Sequence, residues 1–480
     1  MMEAQVPTLA IVGHPNAGKS SVVATLTEND RIAIDKRAGT TTRSDEYPVE
    51  IDGKAVMRFV DTPGFQNPTD ILEWFQRHAD EIDLPRAFLN AHADDRLYSH
   101  DCALMRPLAD GAGIILVVDG SKRIKEKDRT EMELLRLTGR PRMAILNNLT
   151  SNTKHMAAWQ DALNKSFNSV REFNAHRATY AERIALLNAL KTIDQRWEPM
   201  LQETVRAFER DWQRRIDHSV DSILDLLRKA LTFKVVKIVK VNELGSDRER
   251  ESIRQRLTEG LQDGLRNLES GAQAEIRTHF KHHVWNVAPD SLLVKDLFSD
   301  EVERHLGLNR HQTVLASAAA GAATGGAIDL GVGGLSFGAG TLIGAGIGGV
   351  LGVLGTSQLA KLDIQRTLGV ERFTLGPVSN PRFPFILLDR SILYCARAMN
   401  WAHGRQAADE RAPNRVPDQA PKKQRGFTEA LDGEDHKVLA KFFAAARKGK
   451  HSPQEQRVRE ILGSILHDLS TDKIDSRASL

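Results

Sequence analysis

The chain has 480 residues, enough for two or three domains with a sizeable core. A net charge of +3 with 27% charged residues requires no nucleic-acid partner. Only Cys102 and Cys395 occur, far apart and outside any C-x-x-C pattern, which excludes a disulfide framework or a cysteine zinc site and suits a reducing cytoplasm. Met1–Thr8 lacks a basic n-region followed by an apolar h-region, so no cleavable signal is expected.

Thr8–Val12 is a short apolar run that predicts a buried strand, and Ser21–Leu26 predicts the first turns of a helix. Between them Gly13–Ser20 reads GHPNAGKS, a complete G-x-x-x-x-G-K-[ST] phosphate loop. In this setting the backbone amides of Gly13, Asn16, Ala17, Gly18, Lys19, Ser20 and Ser21 are the candidate phosphate cradle. Lys19 is expected to reach the β- and γ-phosphates, and Ser20 to supply an oxygen to Mg²⁺. Arg37–Arg43 (RAGTTTR) is placed like a first switch loop, with Thr42 the expected metal ligand and Thr41 the alternate. Glu46–Ile51 and Ala55–Val60 alternate around Asp52-Gly53 and predict a hairpin that runs into Asp61-Thr62-Pro63-Gly64. In this D-x-x-G pattern Asp61 serves the metal, and the Gly64 amide senses the γ-phosphate.

Further strands are predicted at Gly113–Val118, Arg142–Leu146 and Ser169–Phe173. Helices are predicted at Glu126–Leu137, Lys154–Phe167 and Tyr180–Leu190, completing a three-layer α/β domain over 1–192. The 48 residues 65–112, between Gly64 and Gly113, exceed what a second-switch helix needs. Ile71–Ile82 and Arg86–Met105 predict helices around Pro85, either a nucleotide-sensing lid or a packed elaboration.

GHPNAGKS, the TTR of the first switch and DTPG together resemble the Era-like and TrmE-like branch of translation-factor-class GTPases, over about the first 190 residues. The remainder resembles a bacterial family in which such a domain is joined to a helical domain of unknown function. The resemblance implies guanine nucleotide as ligand, GTP hydrolysis, and Asn147, Asn174 and Ala175 near the base. It also implies that Asn16 holds K⁺ beside the phosphates; the alternative is that Asn16 only shapes the loop. The chain departs from the family pattern at Asn147–Thr150 (NNLT), where N-K-x-D is expected. A carboxylate accepts two guanine N–H groups, and Thr150 does not do so bidentately. Asn174-Ala175-His176 stands where S-A-K is usual, and Phe65 where Ras-like switches carry the water-orienting Gln.

Residues 193–404 predict a mainly helical domain, with charge-dense helices such as Trp197–Arg215 and Glu249–Leu268. His279, His282 and His283 would share a helix face, as a metal site or as a solvated surface. Within this domain the 49 residues 312–360 contain one charge, Asp329, and 14 of the 35 glycines. Small residues recur every fourth position at Ser317, Gly321 and Gly325, and again at Ser336, Gly340, Gly344, Gly348 and Gly352. That spacing predicts a glycine-zipper helical hairpin, turning at Gly331–Gly334. Arg304, Arg310, Lys361 and Arg366 flank it, so the hairpin would either enter the inner membrane from the cytoplasm or pack within the protein. Phe373–Phe385 reads as turn-rich, and Ile386–His403 as an amphipathic helix. Residues 405–480 comprise a polar linker and two short helices, Glu434–Lys448 and Pro453–Leu469.

These features predict a slow, membrane-associated nucleotide switch with a membrane or membrane-protein partner, and a homo-oligomer is open. The alternatives are an RNA- or ribosome-associated switch and a dynamin-like membrane scaffold. No KH-type G-x-x-G loop or basic–aromatic stripe supports RNA.

Overall fold

The computed structural model describes residues 6–471 except 30–31, 33–43, 149–151, 176–177, 242–245, 283–291, 294, 309–311, 314, 316–359, 368 and 402–425. The chain folds into two compact units. One holds the chain up to Arg215 with the short stretch after Phe280; the other begins at Ile216 and holds most of the remainder.

The first unit is built on β1 (Thr8–Val12), β2 (Asp45–Ile51), β3 (Lys54–Asp61), β4 (Gly113–Asp119), β5 (Arg142–Asn147) and β6 (Ser169–Phe173). Their order is β2-β3-β1-β4-β5-β6, parallel except for β2, which pairs antiparallel with β3. Apolar side chains alternate between the faces. Leu9, Ile11, Ile115 and Val117 enter one core, and Ala10, Val12, Ile114 and Leu116 enter the other. A sheet covered on both sides explains the uninterrupted apolar runs of β1 and β4. The helices α1 (Lys19–Thr27), α5 (Glu126–Leu137) and α6 (Met156–Asn164) lie between these strands and α7 (Tyr180–Leu190) follows the last of them, as the strand–helix alternation predicted.

The insertion after β3 contains three α-helices: α2 (Pro68–Arg77), α3 (Leu84–His92) and α4 (Ser99–Ala109). The expected single helix Arg86–Met105 is therefore divided. Asp95 ends it locally, its carboxylate accepting from the Leu97 N–H at 2.9 Å to start a separate turn. Pro85 does not separate helices; it lies in the first turn of α3, where its missing N–H costs nothing.

The 35-residue α8 (Glu198–Thr232) replaces the expected Trp197–Arg215 helix. Leu201, Val205, Phe208 and Trp212 form a buried stripe at helical spacing. The first three of these join the core of the first unit. In the second unit β7 (Val235–Lys240), β8 (Ala360–Thr367) and β9 (Val370–Val378) form an antiparallel sheet in the order β7-β9-β8. This corrects the expectation of a turn-rich Phe373–Phe385. Glu371 lies two residues from Phe373 on the buried side of β9 and breaks the apolar alternation in sequence. Its burial is compensated by Arg366 Nε at 2.8 Å and Arg250 at 3.3 Å.

Helix α9 (Asp247–His279) ends at His279, and Lys281 has a left-handed φ of 59°. His279 and His282 therefore do not share a helix face, and His283 lies outside the described residues. Among the described residues no group of three His, Cys, Asp or Glu is arranged to hold a metal. A short helix, α10 (Asp300–His305), precedes α11 (Phe383–Met399), which is buried almost all round rather than amphipathic. Its polar residues have internal partners. Asp389 accepts from the N–H groups of Gly307 and Thr428 at 2.7 and 2.8 Å. Arg390 pairs with Glu269 at 2.6 Å. Two terminal helices follow at Gly433–Arg447 and Glu455–Ser470, close to the predicted pair. The predicted glycine hairpin lies outside the described residues except for Gln312, Thr313, Leu315 and Ala360; the linker 406–425 lies wholly outside them. No helix among the described residues is long and apolar enough to cross a membrane.

One buried charge cluster ties the first unit together. Glu28 caps the C-terminus of α1 with a left-handed φ of 53°. It accepts from Arg183 of α7 at 2.6 Å and from Arg215 of α8 at 2.5 and 3.0 Å. Lys281 approaches it at 3.4 Å. Burial would raise the Glu28 carboxyl, but Arg215 and Arg183 outweigh it and hold the group well below its ordinary range. Removing one member of a buried pair leaves the others uncompensated, so Glu28→Gln should cost about 3–5 kcal/mol at neutral pH. A depressed folded pKa contributes stability above the unfolded value and loses it as pH falls towards the folded value. The gap between parent and variant in denaturant titrations should therefore shrink below about pH 4.5. An equal gap at pH 7 and pH 3 would contradict this assignment.

Candidate nucleotide site

The parallel pairing of β1 with β3 sets Ile11 opposite Asp61. The phosphate loop and the D-x-x-G motif thus leave neighbouring strands side by side. Ser20 Oγ donates to Asp61 Oδ2 at 3.0 Å, across 41 residues of sequence. Thr62 Oγ1 donates to Ile11 O at 2.7 Å and fixes the second segment against the first.

Backbone demands explain the loop's composition. Gly13 has a φ of 145°, and a Cβ there would lie 2.2 Å from Val117 O. Gly18 has a φ of 90° at the N-cap of α1, and Asn16 has a φ of 64°, a conformation that asparagine tolerates better than most residues. Asn16 is exposed, whereas Ala17 and Ser21 are buried. Gly64 packs tightly on the loop, since a Cβ there would lie 3.1 Å from Gly13 O.

Lys19 Nζ donates to the carbonyls of Gly13 and His14 at 2.9 and 3.2 Å. Burial lowers the Lys19 ammonium pKa against the charges of Asp61 and Glu131. Burial also raises the Asp61 carboxyl, against Lys19 and the Ser20 hydrogen bond. Desolvation works against both charges, so a polyanion and a hard cation would each find an under-solvated partner. Asp61 Oδ1 is buried without a hydrogen-bond partner. An orphaned carboxylate oxygen beside a hydroxyl fits the oxygen-only preference of Mg²⁺.

The expected base loops come to the same end of the sheet. Asn147 Nδ2 donates to Ala17 O at 2.9 Å, and its Oδ1 accepts from the Ala175 N–H at 3.4 Å. Asn174 Nδ2 donates to Asn148 O at 2.6 Å. Asn147 therefore braces the phosphate loop against the last loop. Thr42, Thr150 and His176 lie outside the described residues.

Sequence reading missed a group on α5. His14 Nε2 lies 2.8 Å from Asp128 and 3.7 Å from Glu131. Burial pushes the Glu131 carboxyl up to about 7, against His14 and Lys127. Lys127 Nζ donates to Phe65 O at 3.1 Å. No motif marks these residues; the i, i+4 spacing of Lys127 and Glu131 is their only trace in sequence.

A phosphate loop, a D-x-x-G turn and a bracing asparagine at the carboxyl ends of this strand order define a P-loop GTPase domain of the Era, Der and MnmE type. Residues 160–467, more than half of the chain, match the family described as a domain of unknown function (DUF3482), and the chain belongs to that family. Residues 8–148 match the family described as 50S ribosome-binding GTPase. The tRNA modification GTPase MnmE of Lactobacillus delbrueckii subsp. bulgaricus is 31% identical over 149 residues, covering 31% of this chain and 26% of that protein. GTPase Era of Ureaplasma parvum serovar 3 is 29% identical over 128 residues, covering 26% of this chain and 42% of that protein. The chain thus spans less than half the length of these curated relatives. A solved structure of Era with MgGDPNP and a segment of 16S ribosomal RNA aligns with a TM-score of 0.29 at 14% identity, over 59% of this chain and 92% of that one.

Proposed function

We propose that this protein is a slow guanine-nucleotide switch that hydrolyses the β–γ phosphate bond of GTP in a Mg²⁺-dependent reaction. The observation that carries the reading is the Ser20–Asp61 pair, with Asp61 Oδ1 left without a partner and Lys19 beside it. Ser20 and Asp61, with Thr42 from the first switch, would hold Mg²⁺, which supplies charge neutralisation for the phosphates. Lys19 would exchange its two carbonyl partners for phosphate oxygens, and the Gly64 amide would face the γ-phosphate. Water adds to the γ-phosphorus as its bond to the bridging oxygen breaks. Phe65 is buried and carries no polar group to orient that water, which supports slow turnover.

The chain's relatives support guanine as the base, while the loss of the carboxylate at Thr150 argues for weaker discrimination than in ordinary GTPases. Lys19→Ala should abolish triphosphate binding in calorimetry, and GTP should displace a fluorescent GTP analogue from the parent better than ATP does. Unchanged binding by Lys19→Ala would remove the site, and stronger displacement by ATP would remove guanine.

Asn16, exposed on the phosphate loop, is the proposed holder of K⁺, a fixed cation that offsets charge developing on the phosphates. Turnover should be faster in K⁺ than in Na⁺ at equal ionic strength, and Asn16→Ala should erase the difference. Equal rates in the two salts would rule this role out.

Membrane attachment through 312–360 is proposed from the sequence, because a nearly uncharged segment with small residues at every fourth position suits close helix packing in a bilayer. The intact protein should resist carbonate extraction from inner membranes, and deletion of 312–360 should release it. Full extraction of the intact protein, or its co-sedimentation with ribosomes, would overturn the membrane reading.

A further inference from the structure

The three residues that follow Gly64 are held from two sides. Lys127 takes the Phe65 carbonyl. Asp101, on α4 of the insertion, takes the next two: the Gln66 N–H donates to its Oδ1 at 2.9 Å, and Asn67 Nδ2 donates to its Oδ2 at 3.1 Å. Two residues further along the same helix, Ala103 O accepts from Ser44 Oγ at 2.8 Å. Ser44 directly follows the segment 33–43, which carries the first-switch threonines. One helix is therefore bonded to the chain beside both motifs expected to sense the γ-phosphate.

Two observations set this arrangement apart from incidental packing. Asn67 is the N-cap of α2, where an asparagine side chain ordinarily accepts from its own helix. Here it makes no cap bond and reaches Asp101 and Leu97 O instead. Asp101 is fully buried, and burial raises its carboxyl against the Gln66 and Asn67 bonds. A buried carboxylate is retained although an apolar residue would fill the space without desolvation cost. Leu104, Met105 and Leu108 anchor the helix in the core against the sheet, so α4 has little freedom to follow a moving loop.

We propose that α4 is the element through which the insertion reads the nucleotide, and that Asp101 is a positioning residue for hydrolysis, holding Gln66 and Asn67 so that the Gly64 amide is aimed at the γ-phosphate. This rests on the triphosphatase reading above. A γ-phosphate that draws in the Gly64 amide must move residues 65–67 relative to the anchored α4, and the bonds to Asp101 turn that displacement into a shift of α2, whose N-cap is Asn67. Trp74 on α2 stacks on His78 with ring centroids 3.9 Å apart and supplies a built-in optical reporter.

The test uses the full chain. In Asp101→Asn the new amide faces the Asn67 amide, donor against donor, while the oxygen that accepts from Gln66 is kept. Adding Asn67→Asp restores one acceptor opposite the new donor and gives up only the exposed bond to Leu97 O. Asp101→Asn should lower turnover at saturating GTP roughly tenfold, the effect of losing one hydrogen bond to a charged group, with KM and GDP affinity held within about twofold. It should also abolish the Trp74 part of the fluorescence difference between the GDP state and the state with a non-hydrolysable GTP analogue, that part being the signal which Trp74→Phe removes from a chain with six tryptophans. The double variant should recover both. Parent-like turnover and fluorescence in Asp101→Asn would overturn the inference, as would failure of the double variant to recover, whether or not either variant folds. If the parent binds no nucleoside triphosphate, the proposed function falls and this inference with it; binding with Asp101 inert removes the inference alone.

Discussion

The parallel register of β1 with β3 is the constraint on which the nucleotide site depends. Setting Ile11 opposite Asp61 brings two segments 41 residues apart to one end of the sheet, where Ser20 and Asp61 meet. Everything downstream refines that meeting. Gly13 allows the loop to pass against Val117, Thr62 ties the second segment to the first strand, and Asn147 braces the loop from the far side. The site is built largely from backbone and short side chains because phosphate recognition needs N–H groups at fixed positions.

Charge within this unit is balanced by groups that local sequence does not pair. Asp61 and Lys19 are each disfavoured by burial and stabilise one another only in part. Glu28 presents the opposite case, a carboxylate outnumbered by Arg183, Arg215 and Lys281. Tyr180 and Trp212 stack beside this cluster with centroids 4.0 Å apart, and Arg183 and Arg215 each lie 5.9 Å from the Trp212 ring. Cation–π contact and ion pairing thereby hold α7 and the first half of α8 together at the end of α1.

The α/β sheet was legible in the sequence because its motifs and apolar runs act locally: each strand of the first unit announces itself over five to eight residues. The phosphate loop was legible for the same reason. What sequence reading lost depends on distant partners. Glu371 disguised β9 because its partners appear only once the chain is folded: Arg366 lies opposite it across the β8–β9 hairpin, and Arg250 comes from α9. The polar residues of α11 suggested a wet face, yet Asp389 and Arg390 are satisfied internally by Thr428 and Glu269. The link from Asp101 to Gln66 and Asn67 spans more than thirty residues and leaves no periodic trace. Buried polar contacts of this kind fix specificity in the fold but have no spacing rule that a single chain exposes.

The Glu28 cluster bears on how such a protein can be assembled in evolution. A nucleotide domain that ended after its last sheet helix would keep Glu28 and Arg183 but lose Arg215, and the stripe from Leu201 to Phe208 would leave its core uncovered. The arginine that neutralises the end of the first helix is thus encoded past the last sheet helix, on the part of α8 that belongs to the same compact unit. Recombination at the sheet boundary would separate a buried acid from its principal base. A junction that leaves this domain whole therefore falls beyond Arg215, inside a continuous helix rather than in a linker.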